Sequence, residues 1–269
     1  MGASTIYRKE PPIGNLLKFI LFVLLFVLCA VGLRLLLLRV THLLPALLSR
    51  DEAPAVADRD AVARPLVIVL DAGHGGEDGG TSASDGTKEK DLNLSVTKLL
   101  ADLFRLNGAE VILTRDDDRL LYDPTSDYKG RKKMLDQRAR LEIAQKTAAD
   151  NENATVLFLS IHMNSFPSPA VEGLQVWYSS NTTASEKLAS RIQSGVTKHL
   201  QPENSKGIKA AGDRIYLLDR LDFPAVLIEC GFLSSPKEAE LLKDPEYQKQ
   251  LAFTIYTSVC EYVYDISSP

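Results

Sequence analysis

Two short apolar runs rich in β-branched residues, LVIVLD (Leu66 to Asp71) and EVILTR (Glu110 to Arg115), flank one stretch of helical periodicity, and that order restricts the fold most. Between them, Leu92, Val96, Leu99, Leu100, Leu103 and Leu106 recur on one helix face, with Asp91 near the start and Gly108 just past the end. Adjacent parallel strands need a crossover of this kind, so the segment reads as a βαβ unit. The alternation continues with a charged helix from about Met134 to Ala148, a strand at Val156 to His162, a strand in EGLQVWYS, and a helix from about Ala184 to Leu200. RIYLLD and AVLIECG then read as strands, and two helices follow, one starting at Ser235-Pro236 and one spanning about Pro245 to Tyr264. The expected fold is α/β: a single three-layer domain with a mostly parallel central sheet flanked by helices, preceded by an N-terminal membrane helix.

That membrane helix is read from FILFVLLFVLCAVGL, Phe19 to Leu33, which carries no charge and resumes with leucines after Arg34, reaching the roughly 20 apolar positions a bilayer needs. A soluble core helix would show a polar face, and this one shows none. No small-x-small cleavage site follows, which favours an uncleaved signal anchor over a removed signal peptide. Arg8, Lys9 and Lys18 before the segment balance Arg34, Arg39 and Arg50 after it, so charge alone does not set the topology. Pro45, Pro54 and Pro65 break the Ala-, Asp- and Arg-rich stretch that follows into a tether. The expected organisation is a tail and anchor over 1–40, a linker over 41–65 and a catalytic domain over 66–265.

A net charge of -4 leaves no basic excess to displace counterions from a polyphosphate, which argues against nucleic acid as a partner. The three cysteines, Cys29, Cys230 and Cys260, form neither a disulfide framework nor a zinc-type CxxC. Cys230 and Cys260 are expected as buried small hydrophobes.

Of the four histidines, His74 and His162 directly follow expected strands. Open α/β sheets build their sites at the carboxyl ends of such strands, so the two can converge. A catalytic zinc takes three His or carboxylate ligands and leaves one position open. Glu89, just before the first helix, is the favoured third ligand, with Asp91 or Glu77 geometrically able to replace it. Glu229 ends an otherwise apolar strand, where an ionised carboxylate is costly without a compensating partner, and this suits a general base beside a metal-held water. The blander readings are a tight turn for the glycine-rich loop and a hydrogen-bonded structural role for each histidine. GHGGEDGG lacks both the Lys-Ser/Thr ending of a P-loop and the spacing of a dinucleotide fingerprint.

Over nearly all of Leu66 to Tyr264 the ordered motifs VIVLDAGHGGEDGG, KEKDLNLSV, LTRDDD, RLEIAQ, SIHMNS, GLQVWY and GIKAAGDRIYLLDRLDFPAVLIECGF are similar to those of the zinc-dependent N-acetylmuramoyl-L-alanine amidases of bacterial cell walls. Gln145 stands where that family usually has Asn. The resemblance implies that His74, Glu89 and His162 bind Zn2+, that Glu229 acts on the metal-bound water, and that Arg140 and Asn164 are substrate contacts. It also implies peptidoglycan as substrate, a catalytic domain held outside the cytoplasm by a single-pass anchor in the cell membrane, and room for an activating protein. ECGF and the polar insertion after TRD look closest to the membrane-linked amidases of endospore formers, which places the chain in the forespore or spore envelope. The insertion, Asp116 to Lys133, is expected to act as a substrate grip or a regulatory lid. Two rivals remain: a zinc peptidase cutting within the stem peptide, and a non-catalytic wall-binding protein of the same fold.

Overall fold

The computed structural model describes residues 64–122 and 131–267, together with Leu21, Phe22, Leu24 and Arg34, which are helical and exposed. Most of the expected anchor, the tether before residue 64 and the middle of the polar insertion, 123–130, lie outside the described residues. Among the described residues no helix is long and apolar enough to cross a membrane.

The elements run β1 (Leu66–Ala72), α1 (Glu89–Leu106), β2 (Glu110–Leu113), α2 (Lys132–Asp150), β3 (Thr155–Asn164), β4 (Gln175–Tyr178), α3 (Thr183–His199), β5 (Lys209–Ala210), β6 (Ala225–Phe232), α4 (Pro236–Lys243) and α5 (Pro245–Ser267). They build one sheet in the order β2-β1-β3-β6-β4-β5. The first four of these strands are parallel, β4 runs antiparallel to β6, and β5 is parallel to β4, so the mostly parallel sheet is as expected.

Alternation along the strands feeds two cores. Ile68, Leu70, Leu157, Leu159, Ile161 and Ile228 face the helices α1, α3 and α5. Val67, Val69, Phe158, Ala225 and Leu227 face the other way, toward Leu141 and Ala144 of α2. Helix starts follow local chemistry. The Thr182 hydroxyl caps α3 by accepting from the Ser185 amide, and the Ser235 hydroxyl does the same for Glu238 at the head of α4, with Pro236 in the first turn.

Two expectations fail. RIYLLD is not a strand but lies across two short 3-10 turns, Gly212–Arg214 and Leu218–Arg220. Leu217, Leu218 and Leu221 pack into the core on the second sheet face, which a turn permits and a strand with alternate residues outward would not. The edge strand β5 forms from Lys209 and Ala210 just upstream. Cys230 is buried as expected, but Cys260 is only half-buried, on the flank of α5 where the Asn107 amide reaches its sulfur at 3.8 Å.

Candidate metal centre

β1 and β3 end side by side, and the backbone amide of Gly73 still bonds to the Ile161 carbonyl at 3.0 Å. His74 and His162 therefore emerge together, with ring centroids 5.0 Å apart and edge to face. A Cβ on Gly73 would lie 2.2 Å from the His162 Nε2, so only glycine permits this approach. Gly73→Ala is expected to displace the ring and weaken the binding of a metal ion by the two imidazoles by about 10-fold or more, measured by competition with a chromogenic chelator; an unchanged affinity would contradict this packing.

Glu89 opens α1, where the helix dipole favours a carboxylate. Its Oε1 lies 2.9 Å from His162 Nδ1 and 3.2 Å from His74 Nε2, and accepts from the Met163 amide at 3.1 Å. Asn93, one turn along, donates to the same oxygen at 3.3 Å and to the Gly73 carbonyl at 3.1 Å, while the Thr81 amide donates to Oε2 at 2.8 Å. Burial alone would raise the pKa of Glu89, but the bonds to His162 and His74 overrule it and hold the carboxyl well below the usual range. Asp91 and Glu77 do not compete for this place. Asp91 is exposed on the outer face of α1, and Glu77 is engaged by Lys132 and by the Tyr122 hydroxyl.

His74 is the single non-glycine residue with positive φ among the described residues, at 62°. Two buried arginines hold it there. The Arg140 Nη2 donates to the His74 carbonyl at 2.6 Å, and Arg115 donates to the carbonyls of Ala72, Gly73 and Lys90 at 2.8, 2.9 and 2.8 Å. Asp78 meets the His74 Nδ1 at 2.9 Å, which orients the ring so that Nε2 faces the cluster. Burial works against a protonated His74, yet Glu89 and Asp78 together raise its pKa.

Arg140, expected at the substrate, is instead 2 % exposed and bonded to Asp71 at 2.6 Å and to Asp136 at 2.7 Å. Four of its five N–H donors are committed to protein, which makes it a positioning residue behind the glycine loop. Asp71 is itself fully buried. Burial would raise its pKa, but Arg140, Ser160 and Thr114 lower it to about 2. Asn164 lies half-buried at the end of β3, past a bulge, with its Oδ1 taking the Ser165 amide at 2.8 Å. Gln145 donates to the Arg220 carbonyl at 3.3 Å on the surface of α2.

Glu229 of β6 is the register partner of His162 on one side and Gln175 on the other, so its side chain shares the face of His162. Its Oε2 is buried with no hydrogen-bond partner. Burial pushes its pKa up, the neighbouring Glu89 adds to this, the two histidines oppose it, and the net value is about 7.

A ligand atom from each of His74, Glu89 and His162 lies within 4.8 Å of the other two, and no other such cluster occurs among the described residues. Two imidazoles, one ionised carboxylate and a buried carboxyl oxygen without a partner beside them fit a zinc ion with an open position. Asp71, Asp78, Asn93 and Arg115 complete the centre. Sequence reading did not single them out, although all four stand in the quoted VIVLDAGHGGEDGG, KEKDLNLSV and LTRDDD motifs.

A family model described as N-acetylmuramoyl-L-alanine amidase matches residues 68–261. The germination-specific N-acetylmuramoyl-L-alanine amidase of Bacillus subtilis is 36% identical over 203 residues, 76% of this chain and 82% of that protein. Among solved structures, the CwlD amidase from Clostridioides difficile in complex with the GerS lipoprotein superposes with a TM-score of 0.68 at 39% identity, covering 74% of this chain and 98% of the other. The amidase AmiC2 of Nostoc punctiforme gives a TM-score of 0.61 at 30% identity, covering 74% and 97%.

Proposed function

This chain belongs to the N-acetylmuramoyl-L-alanine amidase family, and from that premise we propose that it hydrolyses the amide between the lactyl group of N-acetylmuramic acid and L-alanine with a zinc ion held by His74, Glu89 and His162. The observation that carries the reading is the pairing of that three-ligand cluster with the partnerless Glu229 carboxyl on the adjoining strand. When bound there, zinc supplies Lewis acidity toward the lactyl carbonyl and the attacking water. Glu229 in its carboxylate form takes the proton from that water as the new C–O bond forms. The protonated Glu229 then returns it to the departing L-alanine nitrogen as the C–N bond breaks. A group with a pKa near the working pH is suited to both transfers. Asp78 keeps His74 in one tautomer, and Asn93 keeps Glu89 turned to both histidines. Arg140 and Arg115 fix the loop that carries His74.

The germination-specific relative supports a role in spore-cortex peptidoglycan, and the lipoprotein in the solved Clostridioides difficile complex supports a protein partner. The apolar run at Phe19 to Leu33 supports a membrane anchor with the catalytic domain on its extracytoplasmic side.

Metal analysis of the purified protein tests the ligand assignment. We expect one zinc per chain, lost in His74→Ala and in His162→Ala and kept in Glu229→Gln. Retention of a full equivalent in both histidine variants would place the metal elsewhere.

A further inference from the structure

Beside His74 and His162 lies a small cavity of about 50 Å³, whose wall on the α2 side carries Lys133, Asp136, Gln137 and Arg140. Most polar side chains there are already committed. Arg140 bonds to Asp136, Asp71 and two backbone carbonyls, Asp136 also takes the Leu121 amide at 2.7 Å, and Asp78 takes His74. Lys133 differs. It makes a long ion pair with the Asp78 Oδ2 at 4.0 Å, beyond hydrogen-bond reach, and its side chain is 68% exposed. The Gln137 side chain, one turn along the same helix face, has no hydrogen bond among the described residues.

The placement also runs against local preference. The first turn of α2 holds no acidic residue, and Lys132 and Lys133 stand there, where the helix dipole disfavours cations. Lys132 is used structurally, on Glu77. Among the described residues Lys133 has only the longer pair with Asp78, and a local rule broken beside a catalytic centre points to function.

We infer that Lys133 recognises the stem peptide through the free α-carboxylate of its second residue, with Gln137 beside it as a neutral donor and acceptor. This rests on the amidase reading above. The glycan side of the scissile bond carries no charge, so the anions a cation here can meet belong to the stem. The residue after L-alanine is a D-glutamate joined through its γ-carboxyl, which leaves its α-carboxyl either free or amidated. That group stands five bonds beyond the scissile nitrogen, roughly 6 Å when extended, and Lys133 lines the same cavity as His74, a ligand of the metal that acts on that bond.

The test is to titrate the zinc-loaded full-length protein in detergent with L-alanyl-D-glutamate whose γ-carboxyl is capped as the methylamide, as the next residue caps it in the stem, and with the same compound α-amidated, by calorimetry, and to repeat this with Lys133→Ala and Lys133→Glu. The wild type is expected to bind the free acid about 10-fold more tightly, the lower end for a charge-assisted hydrogen bond. Lys133→Ala should bring the ratio near one, and Lys133→Glu should invert it, with zinc content unchanged. A merely structural Lys133 would weaken both dipeptides together and leave the ratio in place. Equal binding of the two by the wild type, or a preference surviving in Lys133→Ala, would overturn the proposal. Failure of the amidase reading itself would show separately, as the absence of L-alanine-terminated stems when the same preparation is given peptidoglycan.

Discussion

Glu229→Gln is expected to keep zinc and the fold while lowering kcat by about 10²- to 10⁴-fold, the usual loss when a positioned proton carrier is removed. The same change should stabilise the metal-free protein at alkaline pH. The Glu229 carboxyl is raised by burial from 4.5 to about 7. The folded state therefore holds a proton that the unfolded chain has released, and stability falls as pH rises between those values. That contribution is fully present below about pH 4.5 and lost once pH has passed about 7. Glutamine carries no such penalty, so at pH 8 the variant should gain on the order of 2–3 kcal/mol over wild type, and nothing at pH 4. Zinc favours the carboxylate, so the gain should shrink in the loaded protein. Urea melts at the two pH values measure it. A variant less stable than wild type at pH 8, or one with near-normal turnover, would remove Glu229 from the role assigned to it.

Arg140→Ala should be the most damaging single substitution for stability, costing about 3–5 kcal/mol, because it leaves the buried carboxylates of Asp71 and Asp136 unpaired. It also frees the His74 carbonyl, so surviving folded protein should bind zinc more weakly. Arg140→Lys keeps the charge but cannot reproduce four directed bonds from one planar group, and an intermediate loss is expected. The pH dependence has the opposite sign to that of Glu229. Asp71 is depressed to about 2 in the fold, from 3.8, so this pairing stabilises above about pH 4 and its contribution is lost as pH falls through about 2. Denaturant melts at pH 7 would contradict the account if Arg140→Ala stayed within about 0.5 kcal/mol of wild type, the range of ordinary surface changes.

The sheet and its main helices were legible because their signals are local. β1, β3 and β6 are largely apolar runs, and α1 shows part of its buried face in Leu92, Val96 and Leu100. His74 and His162 could be placed for the same reason, each following a strand whose direction the crossover rule sets. Choosing Glu89 over Asp91 and Glu77 was harder. Three nearby carboxylates differ only in where the helix begins, and it begins at Glu89, which turns that side chain inward and Asp91 outward. RIYLLD misled because its apolar residues sit as they would in a strand, whereas the core it packs into is a property of the whole sheet face. Arg140 misled for a related reason. In a charged helix of weak amphipathicity it looks solvent-facing, and its aspartate partner on β1 lies 69 residues away. Cys260 stands in an apolar helical pattern, and only the packing of α5 beside Asn107 shows that its flank is half-open.

The account's central claim is the bond that is cut, and the most direct measurement is mass spectrometry of purified peptidoglycan digested by the full-length protein, with zinc, with chelator, and with zinc restored. The account predicts intact stem peptides with a free N-terminal L-alanine, glycan strands bearing free lactyl carboxylates, loss of both in chelator, and recovery with zinc. Fragments cut within the stem, or the same products in the presence of chelator, would contradict it.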